Sequence, residues 1–298
     1  MSLIIKEFAS WLKVARNFSD LTIDTYVRGI DRLDEYIQEI TFWARGVEYP
    51  HTIELEDVEE FAENERQNGK EIRTVNNYLS GIKAFLKFCN HKWLRVLDER
   101  RILLAREPEY KINALPEDEM LKLLNYMKND QTKNEITRMR DYAIWLVLTY
   151  GGLRVGELCK LKVADIQENM QIIGKWWSRR LVCLYQDDIK VIELYLFLRR
   201  RIKIRSDYVF VSHSNNSKWK PLDRATVEKI IREAGERAGV QKVRPHKLRH
   251  TCATQMLEHG GDIVYISQIL GHKNLRTTQG YLDYSNSKLR STQLLIPR

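Results

Sequence analysis

The sequence predicts a mainly α-helical protein with one small β-sheet, divided into an N-terminal helical bundle and a C-terminal mixed α/β part. Three observations predict it. Apolar residues recur three and four positions apart, as in Ile23, Tyr26, Ile30, Leu33, Ile37 and Ile40, which gives a helix one apolar face. Two short runs, Ile172-Ile173 and Leu181-Val182-Cys183-Leu184, have strand composition and flank a turn. The length of 298 residues suggests two domains. Charge divides along the same line: residues 1–112 hold 17 lysines and arginines against 20 carboxylates, and residues 113–298 hold 32 against 20. The net charge of +9 therefore arises wholly in the C-terminal part, and it favours a polyanionic partner.

Ser19 or Asp20 caps the helix that carries Ile23 to Ile40. Val58 and Phe61 mark a shorter helix, and Val75, Leu79, Ile82, Leu86 and Cys89 mark another. Together these predict a bundle of about four helices over residues 1–106. Residues 107–114, with Pro108 and no periodicity, read as a linker, and residues 115–298 form the second domain. There a helix starts with Pro116 in its first turn, followed by Glu117, Asp118 and Glu119 at the positive end of its dipole. A strongly apolar helix over 137–149 is broken by Gly151-Gly152. The two short strands follow, then a helix over 188–201 and a further strand over 208–211. Helices are expected over 222–238, 246–259, 262–270 and 275–284.

Several classes are excluded. The four cysteines form no CxxC pair and sit among apolar neighbours, so buried thiols in a reducing compartment are expected. The opening residues carry no secretory-signal pattern, and the longest apolar run, about residues 142–153, is too short to span a bilayer, so a cytoplasmic location is expected. No GxxxxGK[ST] loop binds nucleotide phosphates. His246 and His250 lack the intervening glutamate of a zinc protease helix, and no acidic cluster suits two metal ions.

What remains is a scattered polar set. Arg244-Pro245-His246-Lys247-Leu248-Arg249-His250 opens a helix, with His246 and Arg249 one turn apart on one face. A guanidinium beside an imidazole suits gripping a phosphate and moving a proton there. Arg154 follows the glycine break, with Glu157 one turn on; alone they are an ordinary surface pair. Lys175 follows Gly174 at the hairpin turn beside Trp176 and Trp177, which either cover a site, stack on nucleic acid or pack in a core. His272 ends a helix, and Tyr281 lies nine residues beyond it. In the N-terminal part, Arg66, Lys70, Arg73, Lys83, Lys87 and Lys92 stand out against an acidic background and are candidates for a DNA-facing side.

Three stretches in this order resemble the tyrosine recombinases of the integrase/Xer type: Gly152-Leu153-Arg154-Val155-Gly156-Glu157-Leu158, His246-Lys247-Leu248-Arg249-His250-Thr251, and Leu270-Gly271-His272 through Thr278-Gln279-Gly280-Tyr281. The resemblance covers nearly the whole chain and implies an N-terminal core-binding domain and a C-terminal catalytic domain. It implies that Arg154 and Arg249 clamp the phosphate, that Glu157 supports Arg154, and that Lys175, His246 and His272 complete the site around the nucleophile Tyr281. It also implies double-stranded DNA as the partner and a homotetramer on DNA, formed from monomers or dimers. The chemistry is transesterification at a phosphodiester, which keeps bond energy in the covalent link and calls for no cofactor.

Two departures from the family pattern stand out. Trp176-Trp177 replaces the usual glycine and basic residues after the hairpin lysine, which brings in Arg179 or Arg180 as substitutes. Gly280 replaces a bulky residue before the tyrosine and leaves Tyr284 as a second candidate nucleophile. The apolar tail, residues 294–298, docks either on a neighbouring subunit or on its own domain. A helix-turn-helix regulator around Tyr265–Gly271-His272 and a monomeric type IB topoisomerase are the competing readings.

Overall fold

The computed structural model describes residues 3–40, 46–92, 94–107, 114–173, 179–214 and 217–271. It separates into two compact units, Met1–Glu109 and Tyr110–Arg298. Among the described residues the structure is mainly helical with one two-stranded sheet, as the apolar patterning predicts. No described helix is long and apolar enough to cross a membrane.

The first unit contains α1 (Leu3–Val14), α2 (Asp20–Ile40), α3 (Leu55–Gln67) and α4 (Ile72–His91), with 3-10 turns at Pro50–Thr52 and Glu99–Arg101. The sequence reading assigns α2, α3 and α4 but passes over α1, although Ile5, Phe8 and Leu12 are spaced for one buried face. Ser19 Oγ accepts from the Thr22 N–H at 3.4 Å at the start of α2. Asp57 Oδ2 accepts from the Glu54 N–H at 2.8 Å and ties down the start of α3. Leu33, Ile37, Phe61, Leu79, Ile82 and Leu86 close one apolar cluster, and Phe8, Ile30, Phe85 and Phe88 close a second.

Helices α2 and α4 cross where each presents a glycine to the other. A Cβ on Gly81 would lie 2.7 Å from the Tyr26 carbonyl oxygen, and one on Gly29 would lie 2.7 Å from the Tyr78 Cα. The opposing atoms are backbone, so the helices themselves must part to admit a side chain. Gly81→Val is therefore expected to destabilise this unit by about 1–3 kcal/mol. Thermal unfolding of the full chain checks it; a melt that coincides with the parent protein would contradict the close crossing.

The second unit contains α5 (Glu117–Asn129), α6 (Glu135–Thr149), α7 (Val155–Leu158), β1 (Asn169–Ile173), β2 (Arg179–Cys183), α8 (Gln186–Arg201), α9 (Arg224–Arg237), α10 (Pro245–Glu258) and α11 (Ile263–Leu270). Helix α6 is its centre, contacting α5, α8, α9 and α10, which explains why Ala143, Ile144, Trp145, Leu146, Val147 and Leu148 are all buried. Asn134, Asp223 and Asp262 cap α6, α9 and α11 by accepting from the N–H groups of Thr137, Thr226 and Val264. Pro116 stands at the cap of α5 rather than inside its first turn.

β1 and β2 pair antiparallel, with Met170 opposite Val182 and Ile172 opposite Arg180. Those four face inward. The expected strand over 208–211 is not a strand. Tyr208 bridges Lys162 and Val211 bridges Pro221, so the run pairs with two different segments and extends no sheet. Its apolar residues Val209, Phe210 and Val211 are buried all the same, and that burial is the signal the sequence carries. The expectation that every thiol is buried holds for Cys89 and Cys252 but not for Cys159, which is half-buried, or for Cys183, which lies on the outer side of β2.

Candidate active site

Gly152 starts the site. It follows the end of α6 at φ +56°, a left-handed conformation, and a Cβ there would lie 2.9 Å from Leu270 Cδ2. The glycine thus lets the chain turn while running close against α11. The turn delivers Arg154 to the cap position of the four-residue α7. Glu157, one turn on, accepts from the Arg154 backbone N–H at 2.8 Å and from Arg154 Nη1 at 3.0 Å. The expected support of Arg154 by Glu157 is therefore present as geometry, with the Arg154 side chain 43% exposed and its carboxylate partner buried.

Helix α10 supplies the second group. Pro245 sits in its first turn, where a missing N–H costs nothing, and His246 and Arg249 follow on one face. Arg249 is 2% exposed. Its Nη1 donates to the Gly152 carbonyl and its Nη2 to the Leu270 carbonyl.

The two groups meet at the C-terminal end of α11. A helix leaves its last carbonyls without partners along the axis, and that end carries partial negative charge. Three consecutive carbonyls there accept from three different arginines. Ile269 accepts from Arg180 Nη1, Leu270 from Arg249 Nη2, and Gly271 from Arg154 Nη2, the last at 2.9 Å. Arg180 Nη2 also donates to Glu157 Oε2 at 2.7 Å. Two of these guanidiniums, Arg154 and Arg180, pair with the Glu157 carboxylate, and the third, Arg249, is held by the Gly152 and Leu270 carbonyls, so a net positive charge gathers at the end of α11, where Gly271 forms a left-handed cap.

Burial alone would raise the Glu157 pKa, but Arg180, the Arg154 N–H and the Arg154 guanidinium outweigh it, and the carboxyl stays below its ordinary value of 4.5. His246 is exposed at the rim of this cluster. Desolvation by surrounding protein, then the charges of Arg249 and Arg154, lower its pKa below 6.5. The His250 ring meets it edge-on at 4.2 Å, and burial with the neighbouring His246 and Arg249 pushes His250 down to about 4. A lowered histidine pKa favours the neutral ring, so at neutral pH His246 is able to accept a proton. In an NMR titration of the DNA-free protein, the His246 ring signal is expected to shift with a midpoint below pH 6.5; a midpoint above it would contradict this electrostatic picture.

Arg154, Glu157, His246 and Arg249 are thus brought together. Lys175, His272, Tyr281 and Tyr284, with the expected helix over 275–284 and the tail 294–298, lie outside the described residues. Of the N-terminal basic residues, Arg66, Lys70, Arg73, Lys87 and Lys92 are exposed, and Lys92 pairs with Glu7. Arg73 Nε donates to Glu107 at 3.0 Å. Lys83 donates to the carbonyls of Glu99 at 2.6 Å and Ile102 at 2.5 Å, and so holds the following turn in place. Sequence reasoning named Arg180 only as a substitute for Lys175 and gave His250 no role. The inward position of Arg180 in the strand alternation was the available signal.

The profile of the phage integrase family matches residues 113–288, and that of the phage integrase N-terminal SAM-like domain matches residues 5–92. The chain belongs to the phage integrase family, the tyrosine recombinases. It is 31% identical over 302 residues to the tyrosine recombinase XerD of Listeria monocytogenes serotype 4b (strain F2365), covering 97% of each chain. Its fold is similar to that of the XerH site-specific recombinase bound to a palindromic difH substrate in a post-cleavage complex, with a TM-score of 0.76 at 21% identity over 98% of this chain and 84% of that one. It is also similar to the lambda integrase tetramer bound to a Holliday junction, with a TM-score of 0.65 at 18% identity over 91% and 76%.

Proposed function

We propose that this Xer-like tyrosine recombinase cleaves and rejoins DNA strands at a specific site, with Tyr281 as nucleophile. The Tyr281 phenol attacks the phosphorus, the bond to the 5′ oxygen breaks, and a 3′-phosphotyrosyl link forms. A phenol with a pKa of about 10 is protonated at neutral pH. His246, neutral in the free protein, takes that proton. Lys175 returns one to the departing 5′ oxygen. A hydroxyl from the same or a partner strand then attacks the phosphotyrosine and reverses the step.

One observation carries this reading: Arg154 and Arg249, from elements far apart in sequence, reach adjacent carbonyls at the end of α11, directly before position 272. A diester gains negative charge in its five-coordinate transition state, and fixed guanidiniums are suited to offset it. Glu157 holds Arg154 in place, and His272 donates a hydrogen bond to the phosphate. In the N-terminal domain, 1–106, the exposed Arg66, Lys70 and Lys87 contact the DNA backbone, with Arg73 beside them; Lys83, already bonded to two carbonyls, serves the fold. Four such cleavages must be coordinated to exchange two duplexes, which favours a homotetramer on DNA.

The test is covalent trapping on a nicked duplex carrying a site that the protein itself selects from a random-sequence pool. The parent protein and Tyr284→Phe are expected to give a denaturant-stable protein–DNA adduct, and Tyr281→Phe none. An adduct that survives Tyr281→Phe would overturn the nucleophile assignment. No adduct with the parent protein would favour a regulator that only binds DNA.

A further inference from the structure

We infer that Arg180 is a positioning residue for strand cleavage: it fastens the Glu157 carboxylate to the end of α11, so that Arg154, Arg249 and the chain entering His272 are held in one arrangement. This rests on the recombinase reading above. The residue draws attention by its place. β2 alternates exposed and buried positions, and Arg180 occupies an inward one, beside Val182 and opposite Ile172. A guanidinium on the apolar side of a hairpin is costly unless it is paired, and its side chain is only 5% exposed.

Its partners come from two other elements. Nη2 donates to Glu157 Oε2 at 2.7 Å, and Nη1 donates to the Ile269 carbonyl. Oε2 of Glu157 also accepts from the Arg154 backbone N–H, so Arg180 and Arg154 share one oxygen. The stem of Arg180 packs against Gly271: a Cβ there would lie 2.7 Å from Arg180 Cδ and 3.6 Å from Arg154 Nη1. The last residue before His272 is therefore clasped between two arginines. A planar fork with fixed donors holds two acceptors at a set angle, which a lysine ammonium does not do.

The same geometry denies Arg180 the role of proton donor. A guanidinium remains protonated in proteins, and both terminal nitrogens here are bonded to protein atoms. Arg180 thus acts through Glu157 and α11, and it does not take the place of Lys175 at the leaving oxygen.

The test measures single-turnover adduct formation by the full chain on the nicked, self-selected duplex, alongside equilibrium binding to the unnicked site. A second substrate carries sulfur in place of the bridging 5′ oxygen, because a thiolate departs without gaining a proton. Arg180→Ala is expected to slow adduct formation on the order of 100-fold, and Arg180→Lys about tenfold or more, since misplacing reacting groups by an ångström carries such penalties. Binding is expected to change by less than about threefold, and the same slowing is expected on the sulfur substrate.

Rates at the parent level in both variants would overturn the inference. So would rescue by sulfur, which marks a proton donor, or a loss of binding that matches the loss of rate, which marks a role in the fold alone. If Arg180→Ala fails to fold by circular dichroism, Arg180→Lys decides, because it keeps the charge beside Glu157. Absence of any adduct with the parent protein would instead sink the recombinase reading.

Discussion

Arg249→Lys is expected to slow single-turnover cleavage of a nicked site on the order of 10²–10³-fold, the loss usual for one donor aimed at developing charge. The substitution keeps the positive charge, so the expected loss lies in geometry. Arg249 is 2% exposed and spans two carbonyls, Gly152 on the turn before α7 and Leu270 at the end of α11. Lysine offers a single nitrogen without the planar fork, and it does not hold both carbonyls where Nη1 and Nη2 hold them. The freed carbonyl then loosens the contact between the turn that carries Arg154 and the helix that leads to His272. Rapid quenching of adduct formation checks it. A rate within about threefold of the parent would mean that charge alone is required there.

Glu157→Leu is expected to have the largest effect on stability. It removes the one carboxylate that Arg180 and Arg154 share, and it leaves the buried Arg180 guanidinium without its ion pair. Breaking a buried pair by deleting one partner costs roughly 3–5 kcal/mol. Urea unfolding of the full chain measures it, and a midpoint unchanged from the parent would contradict the burial and pairing seen here.

A pH dependence follows with a definite sign. The folded pKa of Glu157 lies below its ordinary 4.5, so folding favours the ionised form. Its contribution is complete above pH 4.5 and is lost as pH falls through the lower, folded value. Glu157→Gln, which cannot ionise, is expected to show a shallower loss of stability over that acid range than the parent.

The elements were legible where burial is regular. The spacing of Ile23, Ile30, Leu33 and Ile37 gives α2, and the unbroken apolar run around Trp145 marks α6 as the helix other helices cover. Arg154 and Glu157, or His246 and Arg249, were legible as pairs because three residues make about one helical turn. What joins the pairs was not legible. The contacts that unite them run to the carbonyls of Ile269, Leu270 and Gly271, which every residue possesses and no side-chain pattern announces. Arg180 needed the strand register: one step along β2 would have turned it outward as an ordinary surface arginine. The run over 208–211 misled for a related reason. Its apolar residues are buried by neighbouring helices and loops, and composition reports burial without saying whether a strand lies alongside.

Whether Arg154 and Arg249 serve one scissile phosphate is tested most directly by removing that phosphate's charge. Adduct formation by Arg154→Ala and Arg249→Ala, each relative to the parent, is compared on a nicked duplex with a normal phosphate and on one with an uncharged methylphosphonate at the cleavage position. The guanidiniums are expected to matter far less on the uncharged linkage, with the loss falling by about tenfold or more for both variants. Equal losses on the two substrates would show that these arginines do not answer the charge on the phosphorus, and the site assigned here would be wrong.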